Sequence, residues 1–186
     1  MKNLLLSIHQ IEESILDEYI AHWTEYELPR KTIMTAPGET QRDWFYVLEG
    51  IQKSYHLHND KQHVIAFAYP PSFSGIPESF FTQTPSRYFL ETITDSKFLR
   101  ISHQKHQELM AKYRPIETLF RKATELFLTG VLERQVELMA FDMETRFTTF
   151  VRRSPHLLNM VSQKDLASYL RIDSTNFSKL INSIRI

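Results

Sequence analysis

Residues 161–186 read VSQKDLASYLRIDSTNFSKLINSIRI, two short helical patterns with a tight turn between them. Ser162 opens SQKD, a serine followed three residues later by an acid, which is a weak capping box at a helix start. Leu166, Ala167 and Leu170 then share one face. Asp173 opens DSTN and suits the N-cap of the next helix, a contribution of about 1 kcal/mol. Phe177, Leu180, Ile181 and Ile184 form that helix's inner face. Only Arg171 and Ile172 separate the two patterns, so the helices cross sharply with Ile172 in the corner, as a helix-turn-helix requires. Arg171 stands where a glycine is common. By subtraction, Ser174, Thr175, Ser178 and Lys179 point outward from the first turns of the second helix, where a recognition helix meets base edges. Lys179 suits guanine acceptors and the hydroxyls suit bases or phosphates. Ser162, Gln163 and Lys164, at the first helix's start, suit the phosphate backbone.

Upstream, residues 114–141, RPIETLFRKATELFLTGVLERQVELMAF, have no proline after Pro115, which fits a first helical turn. Ile116, Phe120, Ala123, Phe127, Gly130 and Arg134 recur at alternating spacings of four and three, close to the seam of a coiled coil. They predict a dimer helix over about 115–140 whose lower turns also touch the preceding domain. From Tyr26 to about Ser102, aromatic and β-branched runs alternate with turn signals, predicting six to eight antiparallel strands closed into a small barrel or roll. Pro70, Pro71, Gly75, Pro77 and Pro85 make the stretch between AFAYP and RYFLETIT an irregular or partly helical crossing. The opening MKNLLLSIHQIEESILDEYIAHW reads as one amphipathic helix, its apolar run too short for a signal peptide or a membrane span.

Of 186 residues, 42% are hydrophobic and 24% charged, which supports a packed globular chain. The formal net charge is zero, yet from Asp142 onward seven Lys and Arg face four Asp and Glu, against 15 and 18 before it. The C-terminal part is therefore the nucleic-acid side. Cysteine is absent, which excludes disulfides, thiolate catalysis and cysteine-held metal or iron–sulfur centres and fits a reducing cytoplasm. No Ser-His-Asp set, phosphate loop or facing acid pair supports an enzyme.

Roll, long helix and terminal helix-turn-helix in this order resemble the Crp/Fnr family of transcription regulators with a cyclic-nucleotide-binding-like domain. The resemblance rests on VSQKDLASYLRIDSTNFSKLINSI, on WFYVLEGIQKSY around a Leu-Glu-Gly turn, and on ETITDSKFLRISHQKHQEL. It implies an α+β fold: an antiparallel, jelly-roll-like β roll with flanking helices, a long dimerisation helix and an all-α DNA-binding domain. Residues 1–141 would form the sensory unit and 142–186 the DNA-binding unit. It implies a cytoplasmic homodimer that binds double-stranded DNA, with RNA polymerase and a small-molecule effector as further partners, and no enzyme activity, metal, resident cofactor or membrane. The family's recognition helix is commonly followed by a β-hairpin wing. SKLINSIRI leaves no residues for one, so Arg152, Arg153 and Arg185 are expected to make the backbone contacts of a wing.

In the cyclic-nucleotide binders a Gly-Glu pair and, about ten residues later, an Arg and a small residue hold the ribose and phosphate. Aligned on the strand ending Leu99-Arg100-Ile101-Ser102, this chain places Gly75 on the glycine, Ile76 on the glutamate and Ser86 on the arginine. Ile and Ser cannot replace a carboxylate and a guanidinium. Glu78 and Arg87 lie nearby, but a one-residue shift turns Arg87 outward. Gly75, Ile76, Glu78, Ser79, Ser86 and Arg87 are thus candidates for a degenerate pocket in which cyclic AMP is not expected. A sensing or protein-docking module that leaves DNA alone is the competing reading. His56, His58 and His63 resemble part of a cupin metal motif, a remote metal-enzyme alternative, and alternation on a hairpin's outer face explains them more simply.

Overall fold

A computed structural model describes residues 1–183. In chain order it contains α1 (Lys2–Ile8), α2 (Glu13–Ala21), β1 (Thr24–Leu28), β2 (Ile33–Thr35), β3 (Asp43–Glu49), β4 (Gln52–His58), β5 (Lys61–Ala68), β6 (Ser72–Ser74), α3 (Pro77–Thr82), β7 (Phe89–Thr92) and β8 (Ser96–Ser102). Then follow α4 (His103–Lys112), α5 (Arg114–Ala140), α6 (Met143–Arg153), α7 (Leu157–Met160), α8 (Gln163–Leu170) and α9 (Ser174–Ser183). The strands form two antiparallel four-stranded sheets, ordered β1-β8-β3-β6 and β2-β7-β4-β5.

The period of two along a strand explains how three cores share one roll. In β3, Trp44 and Tyr46 point to one face and pack with Leu5, Leu16, Tyr19, Leu109, Ile116 and Phe120 of the helices. Phe45 and Val47 point to the other face and join Phe98 inside the roll. The third core is that of the C-terminal helices, and it also takes in Phe67 of the second sheet and Ile51, Tyr69 and Ile93 at the ends of its strands. The C-terminal domain therefore rests on the roll.

Two turns set the strand register. Asn59 and Asp60 both hold positive φ (50° and 57°), the pair of left-handed residues that a two-residue hairpin between β4 and β5 needs. Gly50, at φ 90°, joins β3 to β4, and a Cβ there would lie 2.4 Å from the Ser96 hydroxyl and 2.5 Å from the Asp95 carbonyl. Glycine alone fits the Leu-Glu-Gly turn.

The N-terminal segment departs from expectation. It is two helices, broken at residues 9–12 although neither Gly nor Pro is present. With the break, Leu5 of α1 and Leu16 and Tyr19 of α2 pack into the same core. β6 is a strand inside the stretch expected to be irregular, and α3 supplies its helical part. No described helix is long and apolar enough to cross a membrane.

Candidate nucleic-acid interface and effector cavity

The caps form as the sequence requires. Ser162 Oγ accepts from the Asp165 backbone N–H at 3.1 Å, and Asp173 Oδ1 from that of Asn176 at 2.9 Å. The Asn176 amide also holds the Asp173 carboxyl below its ordinary value. Between the helices Arg171 takes a left-handed conformation (φ 53°, ψ 46°), and its N–H donates to the Ser168 carbonyl at 3.1 Å. Ile172 fills the corner, 6% exposed. Phe177 is fully buried, its ring 5.5 Å from that of Phe147 on α6.

With that inner face fixed, Ser174, Thr175 and Lys179 stand exposed on α9 and Ser178 is half-buried. Ser162, Gln163 and Lys164 are exposed at the start of α8. Arg152 is exposed, but Arg153 is engaged within the chain: its guanidinium donates to Glu137 at 2.9 and 3.4 Å. One of the three residues expected to make wing-like contacts thus ties α6 to α5. Ile184 and Arg185 lie outside the described residues.

Contacts that the sequence did not signal hold α8 against the second sheet. Lys53, on β4, reaches Asp165 at 3.1 Å, Gln62 at 2.9 Å and Glu91 at 3.8 Å. Ser168 Oγ accepts from the Val64 N–H at 3.0 Å and donates to the Gln62 carbonyl at 2.9 Å. The Tyr169 ring lies 5.1 Å from Phe67, under the Arg134 guanidinium at 4.1 Å. Burial, with the carboxylates of Glu91 and Asp165, pushes the Tyr55 hydroxyl up to about 12. Burial acts to raise the Glu137 carboxyl, and the bonds from Arg153 and Arg134 outweigh it, leaving it below its ordinary value.

The predicted seam of α5 divides into parts. Ile116 and Phe120 are buried in the chain's own core. Arg134 bonds Glu137 and the Tyr169 carbonyl, so it serves the chain's own C-terminal domain. Ala123 and Phe127 line a cavity, and a Cβ on Gly130 would meet nothing within 4 Å. The middle of the helix leaves apolar side chains free: Leu126, Phe127, Leu128, Val131, Leu132, Val136 and Met139 are 46–76% exposed, Phe127 and Val131 at the edge of the cavity they also line. The spacing of four and three was met by the roll at one end and by the C-terminal domain at the other.

That cavity, about 620 Å³, lies between β4–β6, α3 and α5. Gly75, Ile76 and Glu78 line it. A Cβ on Gly75 would fall 2.2 Å from the Trp44 ring, so a backbone that must pass this indole explains the glycine. Ser79 and Ser86 are not in the lining. The first accepts from the Gln41 N–H and donates to the Thr84 carbonyl, and the second bonds the backbone of Tyr88. Arg87, at a bend before β7, is 74% exposed in its side chain, paired with Glu78 at 3.0 Å and outside the lining. The side chains of His56, His58 and His63 are exposed on the β4–β5 hairpin. No group of three or more His, Cys, Asp or Glu among the described residues is placed to hold a metal.

Residues 25–113 match the family model of the cyclic nucleotide-binding domain. No curated protein matches the chain in sequence. Among solved structures, FixK2 from Bradyrhizobium japonicum superposes with a TM-score of 0.74 at 18% identity, over 86% of this chain and 83% of that one. A Eubacterium rectale protein assigned to the crp/fnr family of transcriptional regulators gives 0.71 at 10%, over 92% and 82%. The c-di-GMP responsive regulator CLP of Xanthomonas campestris gives 0.67 at 18%, over 92% and 90%. At these identities the likeness is one of fold.

Proposed function

From a cyclic nucleotide-binding domain over residues 25–113 within the fold of Crp/Fnr-type regulators, we propose that this chain is a homodimeric, DNA-binding transcription regulator. One observation carries the reading: α9 is capped and anchored by a fully buried Phe177 while its outward Ser174, Thr175 and Lys179 stay exposed. That is the arrangement a major-groove reader needs, with Gln163 and Lys164 at the start of α8 placed for phosphates. The exposed apolar residues of α5 favour a second copy as the partner. A twofold pairing along this helix would bring two reading heads into register, and they must lie about 34 Å apart to enter successive major grooves.

β4 gives the effector a route to the DNA. Gln52 and Ser54 line the cavity, and Lys53 between them binds Asp165 of α8. An occupant that shifts β4 by a fraction of an ångström changes the hold on α8 and so shifts the population of the C-terminal helices between docked and released positions. The test is in vitro selection from random duplexes with purified protein. The reading expects enrichment of a two-half-site sequence with centres about 10 base pairs apart or a multiple of that. Recovery of no sequence would leave it without support.

A further inference from the structure

The cavity beside β4 has a chemical character that its position does not dictate. Ile65, Phe73, Ile76, Phe81, Leu90 and Phe127 supply much of its wall, and Glu78 is the sole ionisable acid or base other than Tyr88 among the residues lining it. The Glu78 carboxylate is already paired with Arg87. A cyclic phosphate placed here would meet a carboxylate and no cation in the wall, an arrangement that penalises a buried anion.

Two lining residues carry an unmet need of the opposite kind. Gln52 is 0% exposed and Ser74 is 2% exposed, and Gln52 Oε1 and Ser74 Oγ have no hydrogen-bond partner. The orientation of the Gln52 amide is set by its neighbours. The Ser96 hydroxyl donates to the Thr94 carbonyl at 2.8 Å, so it accepts from Gln52 Nε2 at 2.9 Å. The oxygen left over is an acceptor, and a buried acceptor without a donor is a standing cost that a ligand can remove once a small side-chain adjustment opens the oxygen to the cavity.

We infer that this cavity binds a neutral, mainly apolar small molecule carrying a hydrogen-bond donor that bonds Gln52, and that it does not bind a cyclic nucleotide. The volume, in the middle of the range of small-molecule pockets, suits an occupant of about 15 to 25 non-hydrogen atoms. Ser74, with a hydroxyl that both donates and accepts, offers a second polar contact. This deepens the effector role proposed above and rests on that reading for its regulatory consequence, not for the binding itself.

The experiment uses the full chain and the fluorescent probe N-phenyl-1-naphthylamine, which is neutral and apolar with one N–H donor. Trp44 lines the cavity, so energy transfer from tryptophan reports occupancy. The probe is expected to bind saturably, at least tenfold more tightly than its sulfonated analogue 8-anilino-1-naphthalenesulfonate, which has the same rings and an added negative charge. Gln52→Met, close in shape but without the acceptor, should weaken it about tenfold, the equivalent of one buried hydrogen bond. Ser74→Ala is the smaller change and should weaken it less, and Ala123→Trp, which fills the cavity from α5, should abolish it. Circular dichroism confirms that each variant is folded. Cyclic AMP should not displace the probe. Equal binding of the two dyes, indifference to both Gln52→Met and Ala123→Trp, or displacement by cyclic AMP overturns the inference. DNA binding by the same preparations separates the two claims. A protein that binds its selected duplex but not the probe refutes the ligand class alone, and one that binds the probe but no duplex refutes the regulator reading alone.

Discussion

His106 on α4 should make the fold sensitive to mild acid. Its ring is 0% exposed, Nδ1 lies 3.1 Å from the Tyr19 hydroxyl, and Nε2 has no partner. Phe120 and Phe80 pack on it at 4.5 and 5.8 Å, and among the described residues no carboxylate is bonded to it. Burial, assisted by nearby His103, lowers its pKa to about 4. A base whose folded pKa is depressed gives stability that is complete above the unfolded value, about 6.5, and is lost as pH falls from there toward 4. At pH 5 the unfolded imidazole is almost fully protonated and the folded one about one-tenth so, which amounts to about 2 kcal/mol lost relative to pH 7.5. His106→Gln keeps a polar group near Tyr19 and does not titrate. In urea unfolding at the two pH values, wild type should lose about 2 kcal/mol more than His106→Gln. Equal losses in the two proteins would refute the reasoning, because other titrating groups act on both alike.

Three further outcomes follow from the same geometry. Leu132→Glu puts a charge into the exposed apolar stripe of α5 and should turn a dimer into a monomer at micromolar concentration, as read by sedimentation; an unchanged dimer would place the interface elsewhere. Arg171→Gly relieves a side chain held at φ 53° and should stabilise the protein by about 1 kcal/mol in chemical denaturation; a loss would mean that the arginine's contacts outweigh the backbone strain. Asp165→Asn leaves the nearly buried Lys53 ammonium with only Glu91, at 3.8 Å, as an acidic partner. It should loosen α8 from the sheet at a cost of about 2 kcal/mol, seen as faster hydrogen exchange of the Val64 amide, which donates to Ser168. Unaltered exchange there would show that the ion pair does not hold the two domains together.

What the sequence made legible was local. Ser162 and Asp173 cap helices because the acceptor and the N–H it meets are three residues apart, and Ile172 had to fill a corner that a two-residue turn creates. Arg87 does point outward, its side chain 74% exposed, but it stands at a bend before β7 and not on a strand, so alternation was not the reason. The joining of the C-terminal domain to the roll was not legible. Lys53 and Asp165 are 112 positions apart, and Lys53 read alone is an ordinary charge on a strand. Within the seam of α5, Arg134 was misread for a related reason. A spacing of four and three says that a face is buried, not against what: Ile116 and Phe120 meet the chain's own core, as expected of the lower turns, whereas Arg134 bonds Glu137 and the Tyr169 carbonyl of the same chain. Arg153 likewise looked free for DNA until Glu137, on another helix, came beside it. The cavity's position was legible through Gly75, but its orphaned oxygens on Gln52 and Ser74 lay on strands that showed only alternation.

The central claim is that the exposed face of α9 reads DNA, and Lys179→Glu tests it most directly. Lys179 is exposed and lies outside the buried core, so the substitution should leave folding and sedimentation unchanged. Fluorescence anisotropy with a duplex recovered by selection should then show binding weakened at least tenfold at fixed salt, since an attractive contact becomes a repulsive one and costs about 1–3 kcal/mol. Affinity equal to that of the wild type, with the dimer intact, would contradict the claim.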